Sequence, residues 1–298
     1  MRIVLLLTLF FIVSCGSPKT LVAQETEVME NASSQSDVME TDAPPGEDLP
    51  NETPSLDSIS KAPIQETNIP KPEPAKTTGV VEAAFDHSAW NELLKTYVNV
   101  NGDVDYGSFK ADRAKLQVYL DALAANLPDE SWTREQVLAY WINAYNAFTI
   151  KLIIDNYPIK SIKDIKDPWG TRFFKLGDKW YNLGEIEHKI LRKMDEPRIH
   201  FAINCASYSC PRLLNEAYTP SRLEAQLQAM TIDFVNDTKR NRISTSSAQL
   251  SNIFKWYKKD FTTGTSLIDY IKAYTNIAVG KQTKITYLKY DWSLNEAK

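Results

Sequence analysis

The sequence predicts an α+β fold, built as a single helix-rich domain with a small, mostly antiparallel sheet. Three observations carry this prediction: long stretches with apolar residues at helical spacing, short β-branched and aromatic stretches beside turn signals, and an irregular order of the two. Because helices and strands do not alternate regularly, the pattern favours α+β over a parallel α/β sheet. Residues 85–298 are enough for one domain with a full core.

The first half of this region is predicted to be helical. Apolar residues at helical spacing follow Asp86, a predicted N-cap, and a second helix is predicted over 109–126. Thr133 and Gln136 form a capping-box pattern that begins a long helix, and Pro158 marks its end. Since this long helix is apolar nearly all round, we expect it to be central and buried.

The second half mixes short elements. A hairpin is predicted around Gly177-Asp178, "GEIEHKILRKM" is predicted to be a short helix, and "RIHFAIN" a strand because of its β-branched and aromatic content. The remaining predicted elements are a helix from Thr219 to about Asn236, strands near 243 and 250–253, helices near 254–261 and 265–276, and a last strand at "KITYLKYDW".

The N-terminus has the pattern of a secretory signal. Arg2 precedes an apolar run, residues 3–13, which is too short to span a bilayer as a permanent helix. The segment ending at Cys15 resembles a bacterial lipobox, which implies cleavage of residues 1–14 and lipid on Cys15; the alternative is an ordinary signal peptide with an incidental cysteine. Gly16 rather than Asp follows Cys15, which favours the outer membrane.

Residues 15–84 are predicted to be a lipidated cysteine followed by a disordered, acidic, Pro-rich tether. Residues 16–84 hold nine of the 15 prolines and carry a net charge of -9, whereas residues 85–298 carry about +4. The tether composition cannot bury enough apolar surface to offset chain entropy. A mildly positive domain without a dense basic stripe does not indicate a nucleic-acid partner, so the expected partner is the membrane, reached through the lipid.

One short stretch, residues 198–213, concentrates the reactive side chains. The chain has three histidines and three cysteines, and His200, Cys205 and Cys210 all lie here. On a strand, His200 and Asn204 share a face. Cys210 precedes a proline, which predicts a helix N-cap and a stabilised thiolate, with His200 as its base and Asn204 to orient it.

Three interpretations of this stretch stay open. Cys205 and Cys210 form a disulfide or a purely structural loop, as an oxidising envelope favours; or one of them is a reactive thiol; or they bind metal. The Cys-x4-Cys spacing is not that of a usual zinc site and a second pair is missing, so we expect neither a metal nor another cofactor.

Two further groups are candidates. Glu187 and His188 lie on the predicted "GEIEHKILR" helix, where Glu185 and His188 share a face. Such a Glu-x-x-His pair binds a metal or lets a carboxylate orient an imidazole; the alternative is a salt-bridged helix face. Asn143 and Asn146 lie within the long apolar helix. Because buried amides must find partners, they are expected to bond loop backbones near the Cys/His stretch.

These motifs together resemble the family called domain of unknown function 547. The resemblance rests on "FDHSAWNELLKTYV" with "GDVDY", "YWINAYNA", "YNLGEIEHKILR", "RIHFAINCASYSCPRL" and "YDWSLN", and it spans residues 85–294. The residues that match its motifs are Asn143, Tyr145, Asn146, Glu187, His188, His200, Asn204, Cys205, Ser207, Cys210 and Pro211. The family implies no defined activity.

Two functions follow as expectations. The first is a lipid-anchored protein of the bacterial cell envelope with a Cys/His-dependent hydrolase or acyltransferase acting on envelope peptides or peptidoglycan. In this enzyme the sulfur of Cys210 or Cys205 attacks an acyl or amide carbon, and His200 transfers the thiol proton. The residues expected to orient His200 are Asn204, Asn143 or the Glu187–His188 pair. The second is a non-catalytic binding or scaffold module closed by a Cys205–Cys210 disulfide.

Overall fold

The computed structural model describes residues 85–298. The predicted signal peptide 1–14, the lipidated Cys15 and the tether 16–84 lie outside the described residues. The structure therefore does not test the predictions made for residues 1–84.

The described part of the chain is helix-rich, as the sequence predicts. Its α-helices are α1 (Ser88–Tyr97), α2 (Tyr106–Ala111), α3 (Arg113–Ala125), α4 (Arg134–Asn156), α5 (Leu223–Asn236), α6 (Ile253–Trp256), α7 (Lys258–Phe261) and α8 (Leu267–Lys272). Single turns of 3-10 helix occupy Ile162–Asp164, Leu191–Met194 and Pro197–Phe201, and a π-helical segment occupies Glu185–Ile190.

Within residues 85–298, five short strands form two small sheets. The strands are β1 (Phe174–Leu176), β2 (Lys179–Tyr181), β3 (Arg242–Ile243), β4 (Ser247–Leu250) and β5 (Lys284–Tyr287). The predicted hairpin is the antiparallel pair β1–β2, in which Phe174 pairs with Tyr181. In the second sheet β4 lies between β3, its antiparallel neighbour, and β5, its parallel neighbour. The α+β class is confirmed.

Helix α4 is the centre of the core. Thr133 and Gln136 make the reciprocal capping box that the sequence predicts, and the helix ends before Pro158. By length and composition α4 is apolar enough to cross a membrane, but 89% of its apolar window is buried inside the protein. α4 is therefore a buried core helix of this domain.

The strand predicted for "RIHFAIN" is wrong. Residues Pro197–Phe201 form a 3-10 turn, which Pro197 begins and Glu196 caps by accepting a hydrogen bond from the Arg198 backbone N–H. The alternation of a strand does not apply: neighbouring residues of a strand face opposite sides, but His200 and Phe201 are both buried. A short apolar run that is buried all round reads equally well as strand or helix.

One local prediction near the site is also wrong, and a second holds with a different kind of helix. Cys210 is not a helix N-cap, since residues 211–214 have no regular secondary structure. Instead the carbonyl of Pro211 accepts a hydrogen bond from the Asn204 side chain, which ties this segment to the start of the cysteine loop. The predicted "GEIEHKILRKM" helix is a π-helical segment followed by a 3-10 turn, an arrangement that often occurs at functional sites.

Candidate functional site

A narrow cavity of about 30 Å³ brings most of the candidate side chains together. A volume of that size holds about one or two water molecules. Its ionisable and sulfur-bearing lining residues are Glu187, His200, Cys205 and Cys210. Its aromatic lining residues are Tyr145, Trp169, Trp256, Tyr257, Tyr290 and Trp292. The tertiary structure therefore combines a buried base, a carboxyl group and two sulfurs in one largely apolar enclosure.

Asn146 on α4 fixes the backbone that leads into the site. Its Nδ2 donates to the carbonyl of Ala202 at 3.0 Å, and its Oδ1 accepts from the backbone N–H of Asn204 at 2.8 Å. One turn earlier, Asn143 makes the same pair of bonds to the backbone of Tyr218. The prediction that these amides bond loop backbones is confirmed, although only Asn146 reaches the Cys/His stretch.

Asn204 holds the loop that carries the cysteines. Its Oδ1 accepts from the backbone N–H of Ala206 at 2.7 Å, and its Nδ2 donates to the carbonyl of Pro211 at 2.7 Å. Ala206 has a positive φ of 59°, which makes the chain turn sharply. Asn204 is therefore a positioning residue for both ends of the loop, and it does not contact the imidazole of His200 through any of these bonds.

Cys205 and Cys210 form a disulfide in this structure, with their Cα atoms 6.4 Å apart. That separation is within the range that a disulfide spans. Cys210 is 4% exposed, whereas Cys205 is only partly buried. In the oxidised protein neither sulfur is a free nucleophile.

Several hydrogen-bond donors converge on the disulfide. The Cys205 backbone N–H donates to the Sγ of Cys210 at 3.1 Å, and the Tyr290 hydroxyl donates to the same sulfur at 3.2 Å. Ser207 Oγ lies 3.2 Å from Cys205 Sγ, and its hydroxyl donates to Tyr290 Oη at 2.9 Å. Burial raises the pKa of Tyr290, so its phenol stays protonated and remains a donor.

His200 is paired with Asp260 rather than with a sulfur or an asparagine. Its Nε2 lies 2.8 Å from Asp260 Oδ2, and its ring stacks on Tyr257 with centroids 3.9 Å apart. Burial outweighs the Asp260 hydrogen bond and lowers the pKa of His200, so the ring is neutral at neutral pH. Because Nε2–H donates to Asp260, Nδ1 is the nitrogen with the free lone pair.

Arg192 forms an ion pair with the same carboxylate. Its guanidinium donates two bonds to the carboxylate of Asp260, of 2.7 and 3.0 Å. Burial of Asp260 opposes its ionisation, but the bonds from His200 and Arg192 outweigh burial and keep the pKa of this carboxyl below its usual range. The result is a histidine oriented by an ionised aspartate, the arrangement that general-base histidines use.

Glu187 is the carboxyl group within the cavity. It is 3% exposed, and its Oε2 accepts a hydrogen bond from the Tyr145 hydroxyl at 3.2 Å. Burial, reinforced by Glu187, raises the pKa values of Tyr145 and Tyr257, so both phenols are protonated. The negative charge of Glu187 favours protonation of His200, which places the two groups within electrostatic reach of each other.

The neighbours of Glu187 on the π-helical segment lie elsewhere. His188 Nδ1 lies 3.2 Å from Arg192 Nη1, and His188 does not line the cavity. Glu185 accepts two bonds from Arg172 and a third from Lys189. Glu185 and His188 therefore belong to separate hydrogen-bond groups, and neither side chain lines the cavity.

Sequence reasoning missed Asp260, Tyr257 and Tyr290. Asp260 lies on α7 within a lysine-rich segment and is 60 residues from His200, so no local pattern marks it. Tyr290 had a signal, since it begins the C-terminal motif "YDWSLN" that the family resemblance uses. That motif folds back on the cysteine loop, where the backbone N–H of Tyr208 donates to the carbonyl of Ser293.

Across residues 85–298, no group of three or more His, Cys, Asp or Glu side chains is arranged to hold a metal ion. The side chains around the cavity supply a base at His200 Nδ1, sulfur at Cys205 and Cys210, and phenol and backbone donors around the sulfurs.

The fold and site define an α+β domain in which a buried His–Asp pair shares a cavity with a Cys–Cys loop. Residues 130–235 match the model of a family described as a protein of unknown function, DUF547. The matched range contains α4, Glu187, His200, both cysteines and α5, and supports the resemblance drawn from the motifs, although it is shorter than residues 85–294. Comparisons with curated proteins and with solved structures returned no match.

Proposed function

We propose that this chain is a lipid-anchored protein of the bacterial cell envelope, held at the outer membrane through Cys15, whose folded domain is a cysteine-dependent hydrolase or acyltransferase of envelope peptides. The observation that carries the enzymatic part is the single cavity lined by His200, Glu187, Cys205 and Cys210, with His200 oriented by Asp260. The anchor and the location rest on the sequence of the N-terminus alone.

The proposed reaction requires the reduced protein. A dithiol reductant opens the disulfide, and Cys210 becomes a thiol that retains the donors Cys205 N–H and Tyr290 Oη–H. Hydrogen bonds to the sulfur favour its thiolate. His200 Nδ1 accepts the thiol proton, the thiolate attacks an acyl carbonyl, and the protonated His200 returns the proton to the leaving amine. A thioester remains on Cys210.

The second half of the reaction uses the same groups. His200 removes a proton from water, or from an amine, which attacks the thioester and releases Cys210 as thiolate. The indole N–H of Trp292, which lines the cavity, is buried and has no hydrogen-bond partner among residues 85–298. A substrate carbonyl oxygen would satisfy that donor. Because the cavity admits only about one or two water molecules, a peptide reaches Cys210 only when side chains that line the cavity move apart.

A second function is favoured by one specific observation. The cysteines are paired, and the loop they close is also held by Asn204 and by the C-terminal segment. A disulfide of this kind suits a binding or scaffold module in which the aromatic cavity wall is structural. In that case reduction would lower stability and create no reactivity.

The two functions are separated by acylation of the full chain in detergent. Reduced protein is mixed with p-nitrophenyl acetate, and the initial burst of nitrophenolate is measured with wild type, Cys210→Ser, Cys205→Ser and His200→Ala. The enzyme proposal expects a burst of about one equivalent. It expects none for Cys210→Ser, a burst without reductant for Cys205→Ser, and a loss of about a hundredfold in rate for His200→Ala.

His188→Ala is the matched control, because His188 lies on the neighbouring segment but does not line the cavity. Its burst is expected to equal that of wild type. A burst that survives Cys210→Ser and Cys205→Ser alike, or that is absent from reduced wild type with its fold intact by circular dichroism, contradicts the enzyme proposal and leaves the module.

A further inference from the structure

We propose that the Cys205–Cys210 disulfide is a thiol–disulfide exchange site, which oxidises a peptide dithiol by taking up its two electrons. This activity is distinct from acyl transfer, since it uses the oxidised form of the loop and does not need the imidazole of His200. The proposal rests on three features of the loop: its unequal exposure, its unequal donors and its attachment to the rest of the fold.

The two sulfurs differ in access. Cys210 is 4% exposed, while Cys205 is only partly buried and lies at the cavity wall. Exchange begins when a thiolate attacks one sulfur of the disulfide. Cys205 is therefore the sulfur that an incoming thiolate attacks, and Cys210 is the sulfur that leaves.

The donors favour the same direction. Cys210 Sγ accepts from the Cys205 backbone N–H at 3.1 Å and from the Tyr290 hydroxyl at 3.2 Å. Cys205 Sγ has a longer contact of 3.5 Å to the same hydroxyl and one of 3.2 Å to Ser207 Oγ. Because a leaving thiol departs faster when its thiolate is stabilised, donors at Cys210 accelerate attack at Cys205.

These donors are connected and fixed. Ser207 donates to Tyr290 Oη, and Tyr290 in turn donates to Cys210, so each bond polarises the next. Tyr290 is 4% exposed and its ring packs on Trp256 and Trp292, which hold the hydroxyl in place.

The loop keeps its ends together without the sulfur–sulfur bond. Asn204 bonds Ala206 and Pro211, and Ser207 pairs with Leu294 of the C-terminal segment. In the reduced protein the two thiols therefore stay close enough to close again. A site of this kind can cycle between dithiol and disulfide, whereas a disulfide that defines its own loop would lose its geometry on reduction.

The proposed exchange takes two steps. A thiolate of the peptide dithiol attacks Cys205 Sγ, forming a mixed disulfide, while the Cys205–Cys210 bond breaks and Cys210 leaves as a thiolate. The second peptide thiol, once deprotonated, attacks the peptide sulfur of the mixed disulfide and expels Cys205 as a thiolate. The peptide is oxidised to its disulfide, the loop is reduced to a dithiol, and the two peptide protons end on the loop thiols or in solvent.

The test measures the rate at which dithiothreitol reduces the full oxidised chain, followed by trapping of free thiols and mass spectrometry. Tyr290→Phe is expected to slow reduction by about fivefold or more, and Ser207→Ala by a smaller factor in the same direction. Tyr208→Phe is the matched control, since Tyr208 lies in the same loop but is 41% exposed and its ring stacks under Arg240. Its reduction rate is expected to be unchanged.

A further measurement uses a peptide dithiol as the reductant. A peptide dithiol mixed with Cys210→Ser, first activated at Cys205 as a mixed disulfide with nitrothiobenzoate, should release nitrothiobenzoate. Equal rates for wild type and both Tyr290→Phe and Ser207→Ala, or a folded chain whose disulfide dithiothreitol does not open, would overturn the proposal. Absence of the nitrophenolate burst would refute acyl transfer alone.

Discussion

Replacing Asn146 with alanine tests whether the site is held by α4. Asn146 is 2% exposed and satisfies two buried backbone groups, the carbonyl of Ala202 and the N–H of Asn204. Its removal leaves both groups without these partners, each at about 1–3 kcal/mol, so the free energy of unfolding should fall by about 2–6 kcal/mol. Against a total of about 5–15 kcal/mol, that loss is large.

The assay is urea unfolding of the full chain followed by tryptophan fluorescence, with Asn126→Ala as the control. Asn126 is exposed at the end of α3, and its side chain makes one bond, to the carbonyl of Ala122 in its own helix. Its replacement should change the free energy of unfolding by about 0.5 kcal/mol or less. Equal losses for Asn146→Ala and Asn126→Ala would refute the reasoning that α4 supports the Cys/His stretch.

Three further predictions concern stability. Burial lowers the pKa of His87 from 6.5 to about 4. As the pH falls between these two values, His87 is protonated in the unfolded chain but stays neutral in the folded chain, so the folded state loses stability. Urea unfolding should show about 3 kcal/mol less stability near pH 4 than at neutral pH from this group, and His87→Gln should remove that part of the dependence. Gly102→Ala should unfold at much lower urea than Gly264→Ala. Both glycines have positive φ, of 81° and 72°, so the backbone strain is similar. An added Cβ would lie 2.5 Å from Arg212 Cβ at Gly102 but would meet nothing within 4 Å at Gly264. Equal urea midpoints for the two variants would contradict this steric explanation. Thr133→Ala should lower the free energy of unfolding by about 1 kcal/mol through loss of the α4 cap, and Thr133→Ser should restore most of it.

Short sequence motifs predicted those helices and turns that neighbouring residues determine. The capping box at Thr133 and the proline that follows α4 set both ends of that helix, and the Gly177-Asp178 turn set the β1–β2 hairpin. In these cases the sequence within a few residues determines the backbone. The apolar circumference of α4 likewise predicted its burial, because a helix without a polar face has to be enclosed.

The prediction for "RIHFAIN" was wrong for a physical reason. The residues Ile199, Phe201 and Ile203 have strand propensity, but strand propensity depends on a neighbouring strand to pair with. Here Pro197 and Glu196 favour a turn, and Asn146 of α4 takes the backbone bonds that a strand partner would have made. The tertiary contact decided the local conformation.

The sequence by itself determined the helix-rich α+β class, the central helix, and the closeness of His200, Cys205 and Cys210 along the chain. Only the tertiary structure decided the pairing of His200 with Asp260, the placing of Glu187 in the same cavity and the contact of Tyr290 with Cys210. Those contacts join residues up to 80 positions apart, and no periodicity or short motif encodes them, because they depend on how the helices pack around α4.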